Sequence, residues 1–443
     1  MLEAKYVIIG NSAGGIGAIE AIREVDREGS IILISDEPYP AYSRPLISEH
    51  LAGERDLDGM LYRPEDFYEW NGVQTLFGKV ATDLNVSEKT VKLEDRQRVA
   101  YGKLLLAVGG KPIVPPMEGL DRKGVFTFTT LDDAREIRAL IPEVKKAVVI
   151  GGGLIGISVT DALRKLGVEV SIIELMNRIL GAVLDEEASR MAGEVVRKAG
   201  VDIRTGRTVK TITGKAGKDG QVGGVILDNG ERIESDLVIV AIGVSPRIDL
   251  VKGTDINVNR GILVDRHMAT SAPDVYACGD VAESYDFIVG ADRVVPIWPN
   301  AHIGGRVAGY NMAGKNAEYP GGTAMNSLKY FGLPVASAGL VNAGDGCEVL
   351  SHRTDGRYQK FVLQNGKLVG MVLVKDVEPA GILFGLMRDR VDVSGFRDSL
   401  VSDAFGLISL PEDILRKRLE LPDLGRLHVF HEPEAYADAV DEG

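Results

Sequence analysis

Apolar and polar positions fall into the same order twice along this chain. Lys5-Tyr6-Val7-Ile8-Ile9 is a short β-branched, apolar run of buried-strand character that ends in Gly10-Asn11-Ser12-Ala13-Gly14-Gly15. Residues 16–25 then carry apolar side chains at helical spacing, and 31–34 read as a second strand. Much later, 147–150 form another apolar run, which ends in Gly151-Gly152-Gly153-Leu154-Ile155-Gly156. A helical stretch to Leu166 and a strand over 168–173 come next. Each copy predicts strand, glycine turn, helix, strand.

The echo continues downstream. Residues 104–112 and 237–246 are each an apolar strand, a small-residue turn containing Ala107 and Gly109 or Gly243, and a proline. A hairpin-like stretch precedes each: 89–93 with 99–101, and 222–227 with 231–233 around Asp228-Asn229-Gly230. The pattern is an internal duplication with an offset of roughly 140 residues. From about 323 it changes: 327–340, 358–363 and 367–374 read as strands around an Asn365-Gly366 turn, and 376–420 as helices.

A glycine turn between strand and helix has a physical use. The first glycine makes the turn, the second lets a pyrophosphate reach the backbone, and the third lets helix and strand pack closely. The helix N-terminus then offers N–H donors and a positive dipole to the phosphates. Gly151, Gly153 and Gly156 fit all three roles, with Ile155 inside the turn. Glu174 ends the next strand, where a carboxylate can bond a ribose 2′-hydroxyl and repel a 2′-phosphate, so NAD is expected over NADP. In the first copy Ser12 replaces the second glycine between Gly10 and Gly15, and Ser35, Asp36 and Glu37 all compete for the acidic position.

Composition narrows the class. At about 100–200 residues per domain, 443 residues allow two to four domains. A net charge of −13 argues against nucleic acid or anionic membrane as the main partner. No apolar stretch reaches the ~18 residues of a membrane span. The first residues run straight into a strand, so a cytoplasmic chain without signal peptide is expected. Cys278 and Cys347 are the two cysteines, far apart and in no CxxC pair. The six histidines form no HxxxH or HExxH pattern, so no metal site is expected. The hard chemistry falls to an organic cofactor. Residues 309–315 have P-loop spacing, but Asn316 replaces the Ser/Thr and the segment ends a helix.

Residues 270–282, Thr-Ser-Ala-Pro-Asp-Val-Tyr-Ala-Cys-Gly-Asp-Val-Ala, resemble the second FAD motif of the flavoprotein pyridine nucleotide oxidoreductases with two dinucleotide-binding domains. That family includes glutathione reductase, NADH oxidases, rubredoxin reductases and oxygenase ferredoxin reductases. The resemblance implies that Asp280 bonds the ribityl chain of FAD and that Gly279 lets a following helix approach the ring. Residues 37–48 resemble the segment that rubredoxin-reductase-like members place over the flavin, here without redox cysteine. By that resemblance Arg44 and Pro45 line the FAD site, with Gly14 and Val80, and Trp298 lies near the flavin edge. Oxygenase-type members carry Lys and Glu where this chain has Glu49 and Ser158, so their electron acceptor does not transfer automatically.

The expected fold is α/β: two Rossmann-like dinucleotide-binding domains, the NAD domain inserted in the FAD domain, plus a C-terminal α+β interface domain. The boundaries expected are 1–113 and 245–322 for FAD, 114–244 for NAD, and 323–443 for the last domain. The function implied is an FAD-dependent oxidoreductase that exchanges electrons between NAD(H) and an iron-sulfur or rubredoxin-type protein. A homodimer, or a subunit of a hetero-complex, is expected. The alternatives are a soluble NADH oxidase or diaphorase and a non-enzymatic FAD-binding subunit.

Overall fold

A computed structural model describes residues 1–402 and 405–419. The acidic segment after Pro422, read as an interaction arm or a solvated end, lies outside the described residues.

In the first sheet Val73–Phe77, Ile31–Ser35, Leu2–Ile9 and Arg98–Leu106 run parallel in that spatial order. Val275–Ala277 joins it from far along the chain, parallel to Arg98–Leu106. Tyr6, Val7, Ile8 and Ile9 are all buried, because both faces of a parallel sheet are covered. Thr90–Leu93 pairs antiparallel with Arg98–Leu106 as the expected hairpin, and Ala81–Asn85, not singled out in the sequence, adds an antiparallel strand beyond it.

The second sheet repeats the plan. Asp202–Thr205, Glu169–Glu174, Lys146–Ile150, Leu237–Val240 and Val125–Phe126 are parallel throughout. The predicted hairpin at 222–233 gains a third strand, Val209–Lys215. Where the chain passes from one unit to the other and back, Gly110–Pro112 pairs antiparallel with Val244–Pro246. The two echoing turns are thus tied to each other.

The last region is a five-stranded antiparallel sheet in the order Met325–Tyr330, Leu333–Gly339, Lys367–Val374, Arg357–Gln364, Glu348–Thr354. The single strand expected over 327–340 is a hairpin, turned at Phe331-Gly332, where both residues have positive φ. Glu348–Thr354 is not apparent in the sequence because this exposed edge strand carries four consecutive polar residues, 351–354, and no period-two apolar pattern. The helices expected over 376–420 are Ala380–Arg388, Arg397–Leu400 and Glu412–Leu419, with irregular chain between them.

Helix Ala13–Val25 packs on helix Trp298–Met312 through backbone, not large side chains. A Cβ on Gly305 would overlap the Gly14 carbonyl oxygen, and one on Gly309 would lie 2.5 Å from that of Ala18. Small residues here let the two helices touch along their backbones, which fixes the first glycine turn against the later part of the chain. Gly309→Leu should therefore cost stability by overpacking, about 1–3 kcal/mol. Thermal unfolding should show a lowered midpoint and flavin analysis a reduced FAD content; an unchanged midpoint would contradict this packing.

Candidate functional site

Both glycine turns lie at the carboxyl ends of their parallel strands and open into one cavity of about 1240 Å³. The Gly10 N–H donates to the Ile34 carbonyl at 2.9 Å, and the Gly151 N–H to that of Ile173 at 2.8 Å. A Cβ on Gly15 would overlap the Gly10 carbonyl oxygen, and one on Gly156 that of Gly151. Those two glycines act by packing and do not reach the cavity. At Gly153, by contrast, no atom lies within 4 Å of the missing Cβ.

The next helices in each copy, Ala13–Val25 and Leu154–Lys165, start at Ser12 and Gly153 with no side-chain cap. Helix starts leave N–H donors that need a partner. Two uncapped starts facing one cavity fit two dinucleotide pyrophosphates, as the glycine pattern expects.

The acidic positions differ between the copies. Both oxygens of Glu174 are held by backbone: Oε2 accepts from Gly152 N at 2.6 Å and Oε1 from Met176 N at 2.7 Å. The shared turn geometry makes Ser35, not an acid, the counterpart of Glu174, since Ile34 and Ile173 receive the equivalent N–H bonds. Asp36 instead pairs with Arg247 at 2.6 Å, and Glu37 accepts from the Tyr42 hydroxyl at 2.6 Å and pairs with Arg44. Hence the ambiguity among residues 35–37: the acids stand just beyond the strand.

Arg44 also donates to the Thr129 carbonyl at 3.1 Å. Burial opposes its charge, but Tyr42 and Glu37 beside it hold its pKa above the ordinary value. Burial pushes the Asp280 carboxyl up, with the Arg44 charge pulling the other way. Gly10, Ser12, Gly14, Asp36, Glu37, Arg44, Pro45, Val80, Ala107, Gly109, Gly279, Asp280 and Trp298 border the cavity. So do Gly151, Gly153, Ile155, Glu174 and Gly243.

The chain at Gly279 makes a single 3-10 turn, Gly279–Val281. The helix that follows begins at Trp298 and brings Ala301 to 3.3 Å from a Cβ built on Gly279. The Trp298 ring meets Tyr62 edge-on, centroids 4.9 Å apart.

Glu49 and Ser158 do not border the cavity. Glu49 pairs with Arg55 at 2.8 Å, and Ser158 is buried beneath Tyr330 of the last domain. Asn11, Met117, Thr129, Arg207 and Arg247 also border the cavity, although the motifs alone do not single them out. Apart from Asn11 they stand outside the glycine motifs, so only the tertiary arrangement could show them. Among the described residues, no group of three His, Cys, Asp or Glu side chains could hold a metal ion. No described helix is long and apolar enough to cross a membrane.

Cys278 borders the cavity yet has no exposed surface; its Sγ would lie 2.7 Å from a Cβ on Gly14. Burial pushes its thiol up to about 12. Cys347 is free and half-buried.

Two parallel sheets, each with a glycine turn on a shared cavity, define a class: an α/β protein built to hold two dinucleotides against each other. The model of the pyridine nucleotide-disulphide oxidoreductase family matches residues 4–305, and that of the rubredoxin NAD+ reductase C-terminal domain matches 325–391. The chain belongs to the pyridine nucleotide-disulphide oxidoreductase family. It is an oxidoreductase, and FAD and NAD(H) are the cofactors of its kind. NADH-dependent phenylglyoxylate dehydrogenase subunit epsilon of Aromatoleum evansii is 34% identical over 407 residues, covering 90% of this chain and 95% of that one. NADH-rubredoxin oxidoreductase of Clostridium acetobutylicum is 29% identical, covering 91% and 98%. The chain spans about half the length of another relative, the nitrite reductase of Bacillus subtilis, of which it covers 48%. Among solved structures, putidaredoxin reductase in its covalent complex with putidaredoxin superimposes with a TM-score of 0.84 at 25% identity, covering 95% of this chain and 100% of that one.

A thiol held protonated and shut away should not react. In the native protein a thiol reagent should label Cys347 quickly and Cys278 only after unfolding. A Cys278→Ala, Cys347→Ser double variant should keep NADH-dependent dye reduction. Loss of that activity in a folded, FAD-loaded double variant would reveal a thiol relay.

Proposed function

We propose that this chain carries electrons between NAD(H) and a one-electron protein acceptor of the iron-sulfur or rubredoxin type, as the flavin component of a larger redox assembly. The observation that carries the reading is one cavity shared by two glycine turns, with no reactive thiol on it. A relay through a disulfide would need a second cysteine at the cavity, and Cys347 lies in the turn before Glu348–Thr354 of the last sheet. Two distant cysteines also cannot ligate an iron-sulfur cluster, which normally takes four. Electrons must therefore leave from the cavity itself.

In this reading residues 1–113 and 245–322 hold FAD, 114–244 hold NAD(H), and 323–443 form the C-terminal domain. The FAD pyrophosphate rests on Gly10, Ser12, Gly14 and the helix start behind them, and Asp280 and Arg44 bind further along the same ligand. Gly151, Gly153, Ile155 and Gly243 receive the nicotinamide dinucleotide, with Glu174 on its adenosine ribose. Gly15 and Gly156 keep each helix seated on its strand. Bound together, the two cofactors supply hydride transfer and subsequent one-electron release. The protein's part is to orient them and to exclude competing thiol chemistry. Trp298 and Tyr62, with residues 39–48 and Arg44, mark the edge where a partner would dock; transient electron-transfer contacts are small, so a modest surface suffices.

The relatives support the acceptor class: one is named for rubredoxin, one is a subunit of an NADH-dependent dehydrogenase, and one was solved in covalent complex with putidaredoxin. NADH-reduced enzyme should pass electrons to a rubredoxin or ferredoxin much faster than to oxygen, as stopped-flow reoxidation would show. Full-rate reoxidation by air with no acceleration by such proteins would favour the oxidase alternative.

The pinned carboxylate of Glu174 gives a second test. NADH should exceed NADPH in kcat/KM, and Glu174→Gln should narrow the gap by one or two powers of ten, about 1.4 kcal/mol each. Equal rates for both nucleotides in the unmodified enzyme would sink the NAD assignment.

A further inference from the structure

The segment between Glu174 and helix Glu186–Lys198 forms one wall of the cavity through Leu175, Met176 and residues 180–183. It is held at both ends. Leu180 N donates to the Gly152 carbonyl at 2.8 Å, which ties the segment to the second glycine turn, and Leu180 itself adopts φ +55°. At the other end stands Asp185, which caps helix Glu186–Lys198 by accepting from Ala188 N at 3.1 Å.

Asp185 does more than cap. Its Oδ2 accepts from the Tyr358 hydroxyl at 2.6 Å and lies 3.1 Å from Lys360 Nζ. Tyr358 and Lys360 belong to strand Arg357–Gln364 of the C-terminal sheet, and Lys360 also donates to the Val341 carbonyl at 2.9 Å. The ion pair is nearly dry, with side chains 12% and 8% exposed. A second ion pair, Arg353 with Glu187 at 2.5 Å, flanks it on the surface.

The apolar packing runs along the same line. Ile179, Leu180 and Leu184 share one core with Val335, Tyr358, Val372 and Val374 of the C-terminal sheet. An exposed ion pair would contribute little, but a buried one must be kept whole, because removing one partner strands a charge. The C-terminal sheet therefore grips the far end of the segment whose near end touches the glycine turn.

We propose that Asp185, Tyr358 and Lys360 form a latch through which the C-terminal sheet positions the 175–184 segment and thereby sets the affinity for NADH. These are positioning residues: none of them borders the cavity. The proposal rests on the reading that the Gly151–Gly156 corner receives NAD(H).

The test uses the full-length, FAD-loaded enzyme with a dye acceptor. Tyr358→Phe removes one bond to Asp185 at constant shape, and Lys360→Met removes the charge while keeping much of the length. Either should raise KM for NADH roughly three- to tenfold, the range of coupling energies carried through packed networks. The kcat at saturating NADH should stay within about twofold, and amide exchange over 175–184 should quicken. If Lys360→Met does not fold, Tyr358→Phe decides alone. A lowered unfolding midpoint with unchanged KM, or a fall in kcat alone, would reduce the latch to plain structural support and overturn the proposal. Glu174→Gln is the control: if it raises KM for NADH and the latch variants do not, the latch fails while the site stands. If none of the three changes KM, the NAD assignment itself fails.

Discussion

A carbonyl oxygen sits where a side chain would otherwise be: that contact, made twice, is what the rest of the molecule depends on. The Gly10 and Gly151 carbonyls occupy the space a Cβ would take at Gly15 and Gly156. Only this closeness lets each helix start directly over the end of its strand, with uncapped N–H groups aimed outward. A larger residue at either position would lift the helix, move those donors and spoil the phosphate corner. The long helix Trp298–Met312 adds a third layer of the same kind, glycine backbone against glycine backbone, and carries Trp298 and Ala301 to the cavity.

The consequence of two such corners is a single cavity rather than two. The pairing of Gly110–Pro112 with Val244–Pro246 clamps the chain where it leaves and re-enters the first unit, so the corners face each other across a fixed crossing. Around that cavity the chain removes a reactivity instead of adding one. Cys278 is close enough to matter, but lies fully buried against Gly14 with its thiol pushed up, and so behaves as a small apolar side chain. In the proposed reading, two bound cofactors with no relay thiol beside them would pass electrons outward at the cavity edge that Trp298 borders.

How much of this was legible in the sequence depended on range. Local patterns read well: the strand–glycine–helix units, both hairpins, and the Asn365-Gly366 turn, whose residues both take positive φ. Features set by contacts between distant segments did not. Nothing in Phe331-Gly332 advertises a turn as plainly as Asn-Gly does, so a hairpin looked like one strand. The acid of the first unit was blurred because register, not proximity in sequence, makes Ser35 the counterpart of Glu174. Asp185 reads as an ordinary helix cap; its bonds to Tyr358 and Lys360 cross more than 170 residues, a distance no periodicity encodes.

The asymmetry between Ser12 and Gly153 arises from the same geometry. Both residues have extended backbone, φ −142° and ψ −163° at Ser12, φ −80° and ψ −169° at Gly153, which any side chain tolerates. A Cβ at Gly153 would meet no protein atom within 4 Å. The fold therefore demands glycine at the first and third positions, where backbone fills the space, but not at the second. There only the proposed ligand would set a constraint. A serine meets it when the pyrophosphate leaves room for one small side chain whose hydroxyl can donate to it. The two turns can thus share one backbone while differing at the one glycine position where the cavity, not the chain, fills the space.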